Sequence, residues 1–386
     1  MLKVVHICNL PLPTDHPDYG RVPYHRHPGR WVLNLALAQK AHTEIRPEVL
    51  VQVAGASRDF ETNIEGVPVH FAKAPDRLRS STFFFFDKRR LAVRARSLTP
   101  DLVHAHGTED AYGLAAQRSG YPNVITLQGA FFIINRVVTP PVISRQRVVE
   151  LTERICLRRA RHVIAKSAYV ADQLKEKFPH LVIHRIPNTV DPRLFEIGEE
   201  KERNVLAFVG VISPRKGLDV LCDALEAVRL DIPDVTLWVF GDYPDSPSEY
   251  EQQIKKRLRS ILGERVIFHG NVPSLEVARQ MAKAAALVAP SREEMFGNQL
   301  IEALVVGTHG IVTEGTAMAE NLRRFGGGTI VPQEDCQALA NAILSALQAG
   351  APDKTVNVRK RILEYMGPEV VALQHHALYS QLLSES

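Results

Sequence analysis

The chain has 386 residues, of which 45% are hydrophobic and 23% charged, and its formal net charge is +4. This composition is typical of a globular protein, and the length is too great for one ordinary hydrophobic core, so we expect two domains. The four cysteines lack the paired spacing of a zinc site or a redox motif, which argues against both and favours a reducing cytoplasm.

The charge is distributed unevenly along the chain. Residues 1–195 carry 28 Lys and Arg against 17 Asp and Glu, or +11, so the remainder carries −7. This asymmetry predicts an acidic partner, such as a membrane surface or a phosphorylated acceptor, for the first half only. The basic residues bring no motif that reads nucleic acid, so we expect no nucleic acid partner. No run reaches the ~18 apolar residues of a spanning helix, and the N-terminal run lacks a small-residue cleavage site, so we expect neither a transmembrane segment nor a signal peptide.

Short apolar strands alternate with helical stretches through the first half. Such alternation favours a doubly wound parallel sheet, in which ligands bind beyond the carboxyl ends of the strands. The predicted strands are 3–10, 48–53, 67–72, 102–106, 123–127, 162–165 and 181–186.

The segments at the ends of three of these strands carry candidate ligand-binding residues. A long loop rich in proline, glycine and histidine follows the first strand and ends at Gly29. His104 and His106 lie two residues apart on one face of a strand, but no third metal ligand is evident, so we favour a core His104 and a cleft-facing His106 over a metal site. Gln128 follows the next strand and can position a hydroxyl, although it cannot accept a proton from it.

A run of four phenylalanines, Phe83 to Phe86, opens a basic stretch that continues to Arg96. Four adjacent aromatic side chains cannot share one helical face, so some are exposed unless another element covers them. One interpretation is the edge of a strand or helix packed in the core, with a solvated basic face. The alternative is peripheral contact with the inner face of an anionic membrane through Phe83 to Arg96, which fits the basic first half.

The second half repeats the alternation of strand and helix. A strand at 204–209 leads into a loop from Gly210 to Gly217, which carries Lys216 and precedes a helical pattern. A strand, a glycine-bounded loop with a lysine, and a helix together form a phosphate-binding arrangement, because helix starts favour anions. The other predicted strands are 236–240, 265–268, 285–288, 310–312 and 328–331.

The segment from Ser291 to Gly307 carries two glutamates, Glu294 and Glu302, with seven residues between them. An apolar run precedes it and apolar residues recur at helical spacing within it, so the pattern predicts strand, loop and helix. Gly297 would allow backbone N–H groups to approach a phosphate at the helix start. The two carboxylates could then accept hydrogen bonds from hydroxyls on either side of that phosphate, an arrangement that suits ribose, phosphate and sugar.

This segment carries a resemblance to a known family. Glu294 and Glu302 resemble the E-x7-E motif of retaining glycosyltransferases of family 4, and the likeness extends over nearly the whole chain. Lys216 matches the lysine of the family's G-R-L-x-x-x-K-G loop. Val211 stands where that loop has its arginine, so either Arg215 substitutes for it or the site is weakened.

Other segments are similar to the family with further departures. Gln128 replaces the histidine of the family's T-x-H-G segment, and Pro28-Gly29 replaces its paired glycines. His104-Ala105-His106 resembles its H-x-H segment, and Ile186 to Asp191 resembles the P-N-G-V-D segment that precedes the interdomain linker.

The resemblance implies the glycosyltransferase B architecture, in which two doubly wound parallel-sheet α/β domains face across a cleft. No D-x-D pattern lies in a setting suited to a divalent ion, since Asp242 and Asp245 flank a proline-rich loop. We therefore expect transfer without a metal ion, with cations and helix ends in the place of the ion. The resemblance implies that the transferred group is a hexosyl group and that its anomeric configuration is retained. The implied domains are an acceptor-binding domain at 1–195, a linker at 196–203, a nucleotide-sugar domain at 204–366, and a helix at 367–386 that crosses back to the first domain.

The resemblance also implies roles for individual residues. No cofactor is expected besides the nucleotide-sugar co-substrate, for which a UDP-sugar is favoured, and the acceptor is a glycan, a lipid-linked molecule or a small molecule. The implied catalytic residues are Glu294, Lys216 and His106. Donor binding falls to Glu302, Lys216, Arg215, Phe296, Gly297, Asn298, Gln299, Val272 and Gly29, and acceptor binding to His106, Gln128 and Glu109.

Two other interpretations remain open at this stage. Val211 and Gln128 both depart from the family at ligand-facing positions, so the chain could be a non-catalytic module that binds a nucleotide-sugar. A dinucleotide-binding dehydrogenase is less favoured, because no G-x-G-x-x-G follows a strand.

Overall fold

The computed structural model describes residues 1–12, 16–19, 30–75, 79–108, 111–198, 201–241, 248–349 and 355–385. The chain divides into two compact units, which we call unit 1 (Met1–Asp191 with Tyr365–Ser386) and unit 2 (Pro192–Glu364). Each unit contains one sheet with helices, so the predicted α/β class with two parallel-sheet domains is confirmed.

The strands are numbered in chain order. Unit 1 contains β1 (Leu2–Cys8), β2 (Ile45–Ala54), β3 (Phe60–Ile64), β4 (Val67–Ala74), β5 (Leu102–His106), β6 (Asn123–Thr126), β7 (His162–Ala165) and β8 (Val182–Arg185). Unit 2 contains β9 (Val205–Val209), β10 (Thr236–Phe240), β11 (Val266–Gly270), β12 (Ala286–Ala289), β13 (His309–Thr313) and β14 (Gly328–Val331).

The helices are numbered in the same way. The first six lie in unit 1: α1 (Trp31–His42), α2 (Phe85–Ser97), α3 (Tyr112–Arg118), α4 (Phe131–Val138), α5 (Arg145–Arg159) and α6 (Ala168–Lys177). The remaining helices are α7 (Leu218–Asp231), α8 (Glu249–Leu262), α9 (Ser274–Lys283), α10 (Asn298–Val305), α11 (Ala317–Phe325), α12 (Cys336–Ala349), α13 (Thr355–Met366) and α14 (Pro368–Ser384), of which α14 belongs to unit 1.

The central strands are apolar on both faces, as parallel strands covered by helices on each side must be. In unit 1, Val4 and Val5 of β1 and Leu102 and Val103 of β5 are all fully buried. This double burial explains why the sequence shows continuous apolar runs rather than alternation at these strands.

One strand of unit 1 was not predicted. β3 pairs antiparallel with β4 at the edge of an otherwise parallel sheet. The two strands are joined by Glu65 and Gly66, which both have positive φ, 53° and 82°, as a tight hairpin requires. A Glu-Gly pair is a weaker hairpin signal than Asn-Gly, and β3 lacks an apolar run. For these two reasons the sequence pattern did not predict this hairpin.

The segment expected to be an interdomain linker, 196–203, forms hydrogen bonds with unit 2. The Lys201 ammonium donates to the carbonyl oxygens of Ala282 and Ala284 at 2.7 and 2.9 Å. The Glu202 N–H donates to the carbonyl oxygen of Lys283 at 2.8 Å. These bonds place the described part of the segment within the second compact unit, whose lower bound is Pro192.

Both sheets reverse their winding direction at one place. In unit 2 the strand order is β11-β10-β9-β12-β13-β14, so the chain runs outward from β9 to β11 and then returns to set β12 beside β9. In unit 1 the reversal lies between β1 and β5. Connections that leave two adjacent strands in opposite directions open a crevice at the carboxyl edge, which is where open α/β sheets bind ligands.

The predicted exposure of part of the phenylalanine run is confirmed. Phe84 is fully buried at the start of α2, whereas Phe83, Phe85 and Phe86 are 44%, 44% and 57% exposed. Over the residues that the structure describes, none of the helices has the length and apolar character to cross a bilayer.

Candidate functional site

Two helix starts meet at the reversal point of unit 2. Gly217 precedes α7 with φ +67°, and a Cβ placed on it would lie 2.0 Å from the Pro290 carbonyl oxygen in the loop after β12. Gly297 precedes α10 with φ +79°, and a Cβ there would lie 2.2 Å from Met318 Cγ. Only glycine satisfies both the backbone conformation and the space at these positions. The loops after β9 and β12 are therefore packed against each other.

An ion pair joins the same two loops. The Lys216 ammonium lies 2.5 Å from Glu294 Oε2, and the Arg215 guanidinium lies 3.6 Å from the same oxygen. Gln299 donates its side-chain amide to Glu294 Oε2 at 3.3 Å, and the Met295 N–H donates to the other oxygen at 3.3 Å. Four predicted site residues, Lys216, Arg215, Glu294 and Gln299, are thus brought together.

The surroundings of this pair set its protonation. Burial by itself would raise the pKa of the Glu294 carboxyl, but the Lys216 and Arg215 charges outweigh burial and lower that pKa to about 2. Burial and the neighbouring Arg215 lower the pKa of Lys216, while Glu294 opposes that shift. Glu294 is consequently an ionised hydrogen-bond acceptor at neutral pH.

Arg292 locks the two loops together, and the sequence analysis did not identify it. Its guanidinium donates to both oxygens of Asp219 at 2.9 and 2.7 Å and to both oxygens of Glu334 at 2.6 and 2.8 Å. It also donates to the Pro214 carbonyl oxygen at 2.6 Å, while its backbone N–H donates to the Arg215 carbonyl oxygen at 2.9 Å. Forked hydrogen bonds to two carboxylates hold Arg215 and its neighbours in place, since guanidinium matches carboxylate geometry.

The other predicted donor residues lie around this pair. Asn298 begins α10, and Glu302 is half-buried four residues further on, which is about one helical turn. Phe296 is buried, and its carbonyl oxygen accepts from the Asn321 amide at 2.8 Å. Val272 is half-buried in the loop after β11, the edge strand of the sheet.

Some sequence predictions cannot be placed. Gly29 and Glu109, predicted to bind donor and acceptor, lie outside the described residues. The same holds for Asp242 and Asp245. Val211 is described, and its side chain is 41% exposed in the loop after β9.

In unit 1 the structure adds a third histidine to the predicted pair. His6 of β1 and the two histidines of β5 are all buried, and one nitrogen of each lies within 4.8 Å of the others. His106 is 4% exposed and lines a small pocket together with Thr126, Asn188 and His375, and its cleft-facing position stays a prediction. His6 lies about a hundred residues from the pair in sequence, so no local motif indicates it.

Hydrogen bonds account for most of the ring nitrogens. His6 Nε2 bonds to Gln39 Oε1 at 2.8 Å, and His6 Nδ1 bonds to His106 Nε2 at 2.9 Å. The Gln39 amide donates to Tyr379 Oη at 3.1 Å, and that hydroxyl bonds to His104 Nδ1 at 2.6 Å. The bonds are mutually consistent if each imidazole is neutral with its proton on Nε2. Burial lowers the pKa of His104 and His106 well below the ordinary range, which supports neutral rings.

Gln128 and a lysine that the sequence analysis missed lie at the carboxyl ends of β6 and β7. The Lys166 ammonium donates to Gln128 Oε1 at 2.7 Å, and Lys166 is 7% exposed. The amide nitrogen of Gln128 is buried and has no hydrogen-bond partner among the described residues. An oriented amide donor is therefore available where the family has a histidine.

A buried carboxyl fixes the adjacent loops. Glu153 of α5 accepts hydrogen bonds from the Thr108 hydroxyl at 2.7 Å and from the Phe131 and Phe132 N–H groups at 3.1 and 2.9 Å. Phe131 and Phe132 begin α4, so this carboxyl caps a helix from a distance. Burial raises the pKa of Glu153 to about 7, although these hydrogen bonds oppose the shift.

Comparison with known proteins identifies the family. A family model described as Glycosyltransferase Family 4 matches residues 28–194, and one described as Glycosyl transferases group 1 matches residues 203–349. The chain belongs to glycosyltransferase family 4. The predicted recognition and the predicted enzyme class are thereby confirmed.

Curated relatives of this family 4 protein carry transferase or synthase names. It is 26% identical over 314 residues to a 2-deoxystreptamine N-acetyl-D-glucosaminyltransferase of Streptomyces fradiae, covering 73% of this chain and 72% of the relative. It is 27% identical over 293 residues to a glycogen synthase of Mycobacterium tuberculosis, covering 74% and 69%. These names do not favour the alternative of a non-catalytic binding module.

Solved structures share the fold of this glycosyltransferase. Sucrose-phosphate synthase from Thermosynechococcus elongatus matches with a TM-score of 0.81 at 21% identity over 100% of both chains. The Anabaena protein HepE, solved in complex with UDP-glucose, matches with a TM-score of 0.71 at 17% identity over 99% of this chain and 100% of that one. Both likenesses concern the fold alone.

Proposed function

We propose that the protein transfers a hexosyl group from a nucleotide diphosphate sugar to an acceptor hydroxyl, with retention of configuration and without a metal ion. The observation that carries this proposal is the Lys216–Glu294 pair at the reversal point of unit 2, beside the starts of α7 and α10. Two cations and two helix N-termini supply the positive charge that a leaving diphosphate needs. A UDP-sugar is the expected donor, and the neighbour solved with UDP-glucose supports that class.

In this proposal Lys216 and Arg215 hold the diphosphate. Both cations lie within 4 Å of the Glu294 carboxylate, so an incoming diphosphate would share them with it. Gly297 and Asn298 present the start of α10 to the same phosphate oxygens. The departure at Val211 is then compensated by Arg215, which Arg292 holds in the loop.

The two glutamates would bind different parts of the donor. Glu294, ionised and fixed by several donors, would orient the hydroxyls of the transferred sugar. Glu302, one turn inside α10, would accept hydrogen bonds from the ribose. Phe296, Gln299 and Val272 complete the donor site in the proposal.

The proposed step needs no separate base. The bond between the anomeric carbon and the leaving phosphate oxygen breaks, and the acceptor oxygen forms the new bond on the same face of the sugar. The acceptor proton passes to the leaving diphosphate oxygen, so the charges balance. A glutamine at position 128, which cannot take up that proton, is compatible with this route.

We assign acceptor binding to unit 1. Gln128 would position the acceptor hydroxyl through its buried amide, with Lys166 fixing the amide orientation. His106 would contribute as a neutral hydrogen-bonding group, and Gly29 and Glu109 remain predicted ligand contacts. The proposal places the enzyme in the cytoplasm, with peripheral contact at the inner face of an anionic membrane.

A thermal-shift panel of nucleotide sugars followed by product analysis tests the proposal. A donor at about 100 times its dissociation constant should stabilise the protein by ~2.7 kcal/mol, and UDP-sugars should give the largest shifts. NMR of the product formed in the presence of a chelator should show the anomeric configuration of the donor. A panel without any shift, or an inverted product, would contradict the proposal.

A further inference from the structure

Three exposed phenylalanines lie at or just before the start of α2, and we call Phe83, Phe85 and Phe86 the phenylalanine ridge. The rings of Phe85 and Phe86 meet edge to face with centroids 5.4 Å apart. The Lys88 ammonium lies 5.9 Å from the centre of the Phe85 ring and 3.3 Å from the Phe83 carbonyl oxygen. Three large apolar side chains about half exposed in four consecutive residues are unusual on a protein surface that faces only water.

A basic hollow lies at one end of this ridge. A cavity of ≈ 130 Å³ is lined by Phe83, Lys88, Leu114, Arg118, Ile155 and Arg159, together with Thr152. The cavity is large enough to hold more than one water molecule. All three cations line the same cavity, and burial together with the charges of Arg118 and Arg159 lowers the pKa of Lys88.

The cations of this hollow differ from their neighbours. On the same side of unit 1, Arg79 pairs with Asp87, Arg90 with Asp59 and Arg94 with Glu61. Within the described part of the chain, no carboxylate pairs with Lys88, Arg118 or Arg159. A cluster of unpaired cations around a cavity is a site for an anion with several oxygen atoms, such as a phosphate.

A second hollow lies at the other end of the ridge. Phe86, Arg89 and Val93 line a wide concavity of ≈ 460 Å³ together with Lys73 and Arg90. Val93 is 50% exposed, which extends the apolar surface along α2. Basic side chains therefore lie at both ends of the ridge. Interfacial helices likewise combine apolar side chains with basic side chains that contact lipid headgroups.

We propose that this surface docks unit 1 onto a membrane rich in anionic phospholipid, with a lipid phosphate held by Lys88, Arg118 and Arg159 and the phenylalanine ridge in the headgroup layer. The charge of the hollow matches the phosphate, and the ridge matches the apolar boundary next to it. Arg94, which lies within the stretch from Phe83 to Arg96, pairs with Glu61 and is not part of this surface. The docking can be measured without donor or acceptor, so its failure is distinct from failure of the transferase proposal.

Vesicle flotation of the full chain tests the docking. We expect binding to vesicles of phosphatidylglycerol and phosphatidylcholine in equal parts, little binding to pure phosphatidylcholine, and release when salt rises from about 0.05 M to about 0.5 M. The variant Lys88→Gln/Arg118→Gln/Arg159→Gln should bind at least 20-fold more weakly, since each basic residue near such a surface contributes about fivefold, or ~1 kcal/mol. The variant Phe85→Ser/Phe86→Ser should also bind at least tenfold more weakly.

Two control variants remove the same number of charges, or of exposed apolar side chains, from the surface of unit 2. Arg203→Gln/Lys256→Gln/Lys360→Gln removes three exposed cations, and Leu230→Ser/Val356→Ser removes two exposed apolar side chains. Both controls should bind anionic vesicles as the wild type does. Equal binding by the triple glutamine variant and its control, or equal binding to neutral and anionic vesicles, would overturn the docking. So would full binding by the Phe85/Phe86 variant together with displacement by inorganic phosphate at constant ionic strength, since that pattern marks a site for a soluble anion.

Discussion

At the scale of single residues, the chemistry that we propose for unit 2 depends on the Lys216–Glu294 pair. A buried ion pair is weak evidence for stability, because the desolvation of both charges offsets their attraction. The pair lies where the loops after β9 and β12 meet, and Arg215 adds a second cation to the same carboxylate oxygen. Such an excess of positive charge is better explained by a ligand anion than by the stability of the fold.

Arg215 should compensate for the missing arginine at position 211. We expect Arg215→Ala to weaken binding of a nucleoside diphosphate by about tenfold or more, because a charge-assisted hydrogen bond contributes roughly 1.5 to 3 kcal/mol. Val211→Arg should gain little, since the new guanidinium would face Arg215. Calorimetry on both variants, with Arg203→Ala as the control, measures this. A small loss of affinity in Arg215→Ala, together with tighter binding by Val211→Arg, would show that Arg215 does not replace the arginine missing at position 211.

Glu302 should act on donor binding, whereas Glu294 should act mainly on turnover. Glu302→Gln replaces a charged acceptor by a neutral amide and should weaken donor binding by roughly 1.5 to 3 kcal/mol. Glu294→Gln should mainly lower the rate constant, because sugar positioning matters at the transition state. Donor binding and donor hydrolysis, measured for each variant, separate the two effects. Unchanged values for both variants would refute the site assignment.

At the scale of elements, the start of α10 depends on one glycine. We expect Gly297→Ala to destabilise unit 2 by about 2 kcal/mol and to weaken donor binding, because the added methyl meets Met318 and the backbone has positive φ. Gly120→Ala is the matched control, since Gly120 has φ +82° but no atom within 4 Å of an added Cβ. Thermal unfolding with and without nucleotide is the measurement. Equal losses in the two variants would mean that the contact with Met318 is unimportant.

The pKa of Glu153 predicts how the stability of unit 1 changes with pH. Its pKa rises from the ordinary 4.5 to about 7 in the fold, so its stabilising contribution is complete below pH 4.5 and is lost as the pH rises through 7. The loss amounts to about 3 kcal/mol for a change of this size. Glu153→Gln should flatten this slope between pH 5 and 8. Urea unfolding followed by Trp31 fluorescence, in a Trp238→Phe background, reports on unit 1, and parallel slopes for the two proteins would exclude Glu153 as the titrating group.

Local sequence pattern predicted most of the elements and the two loops that meet at the candidate site of unit 2. The strands other than β3, and the loops at Lys216 and Glu294, follow from apolar runs, glycines and helical spacing. His6, Lys166 and Arg292 could not be found in this way, because each meets its partners only after distant strands have paired. β3 was missed because its pairing depends on a short hairpin and on burial of one face only.

At the scale of the whole molecule, the candidate binding residues are distributed over both units. Unit 2 contains the pair at its reversal point, while unit 1 contains the histidine network, the Gln128–Lys166 pair and the basic hollow. The positive charge of the first half, +11 over residues 1–195, is thus concentrated in part at a defined surface. Variants of one unit should therefore leave the binding properties of the other unchanged.

Calorimetric titration with UDP measures whether Lys216 of unit 2 holds the diphosphate of the donor, as we propose. Lys216→Met keeps most of the buried stem and removes the charge, and Lys256→Met makes the same change at an exposed position. We predict that the wild type and Lys256→Met bind UDP equally and that Lys216→Met loses at least about tenfold in affinity, or ~1.4 kcal/mol. If folded Lys216→Met binds UDP as tightly as the wild type does, the diphosphate is not held at Lys216.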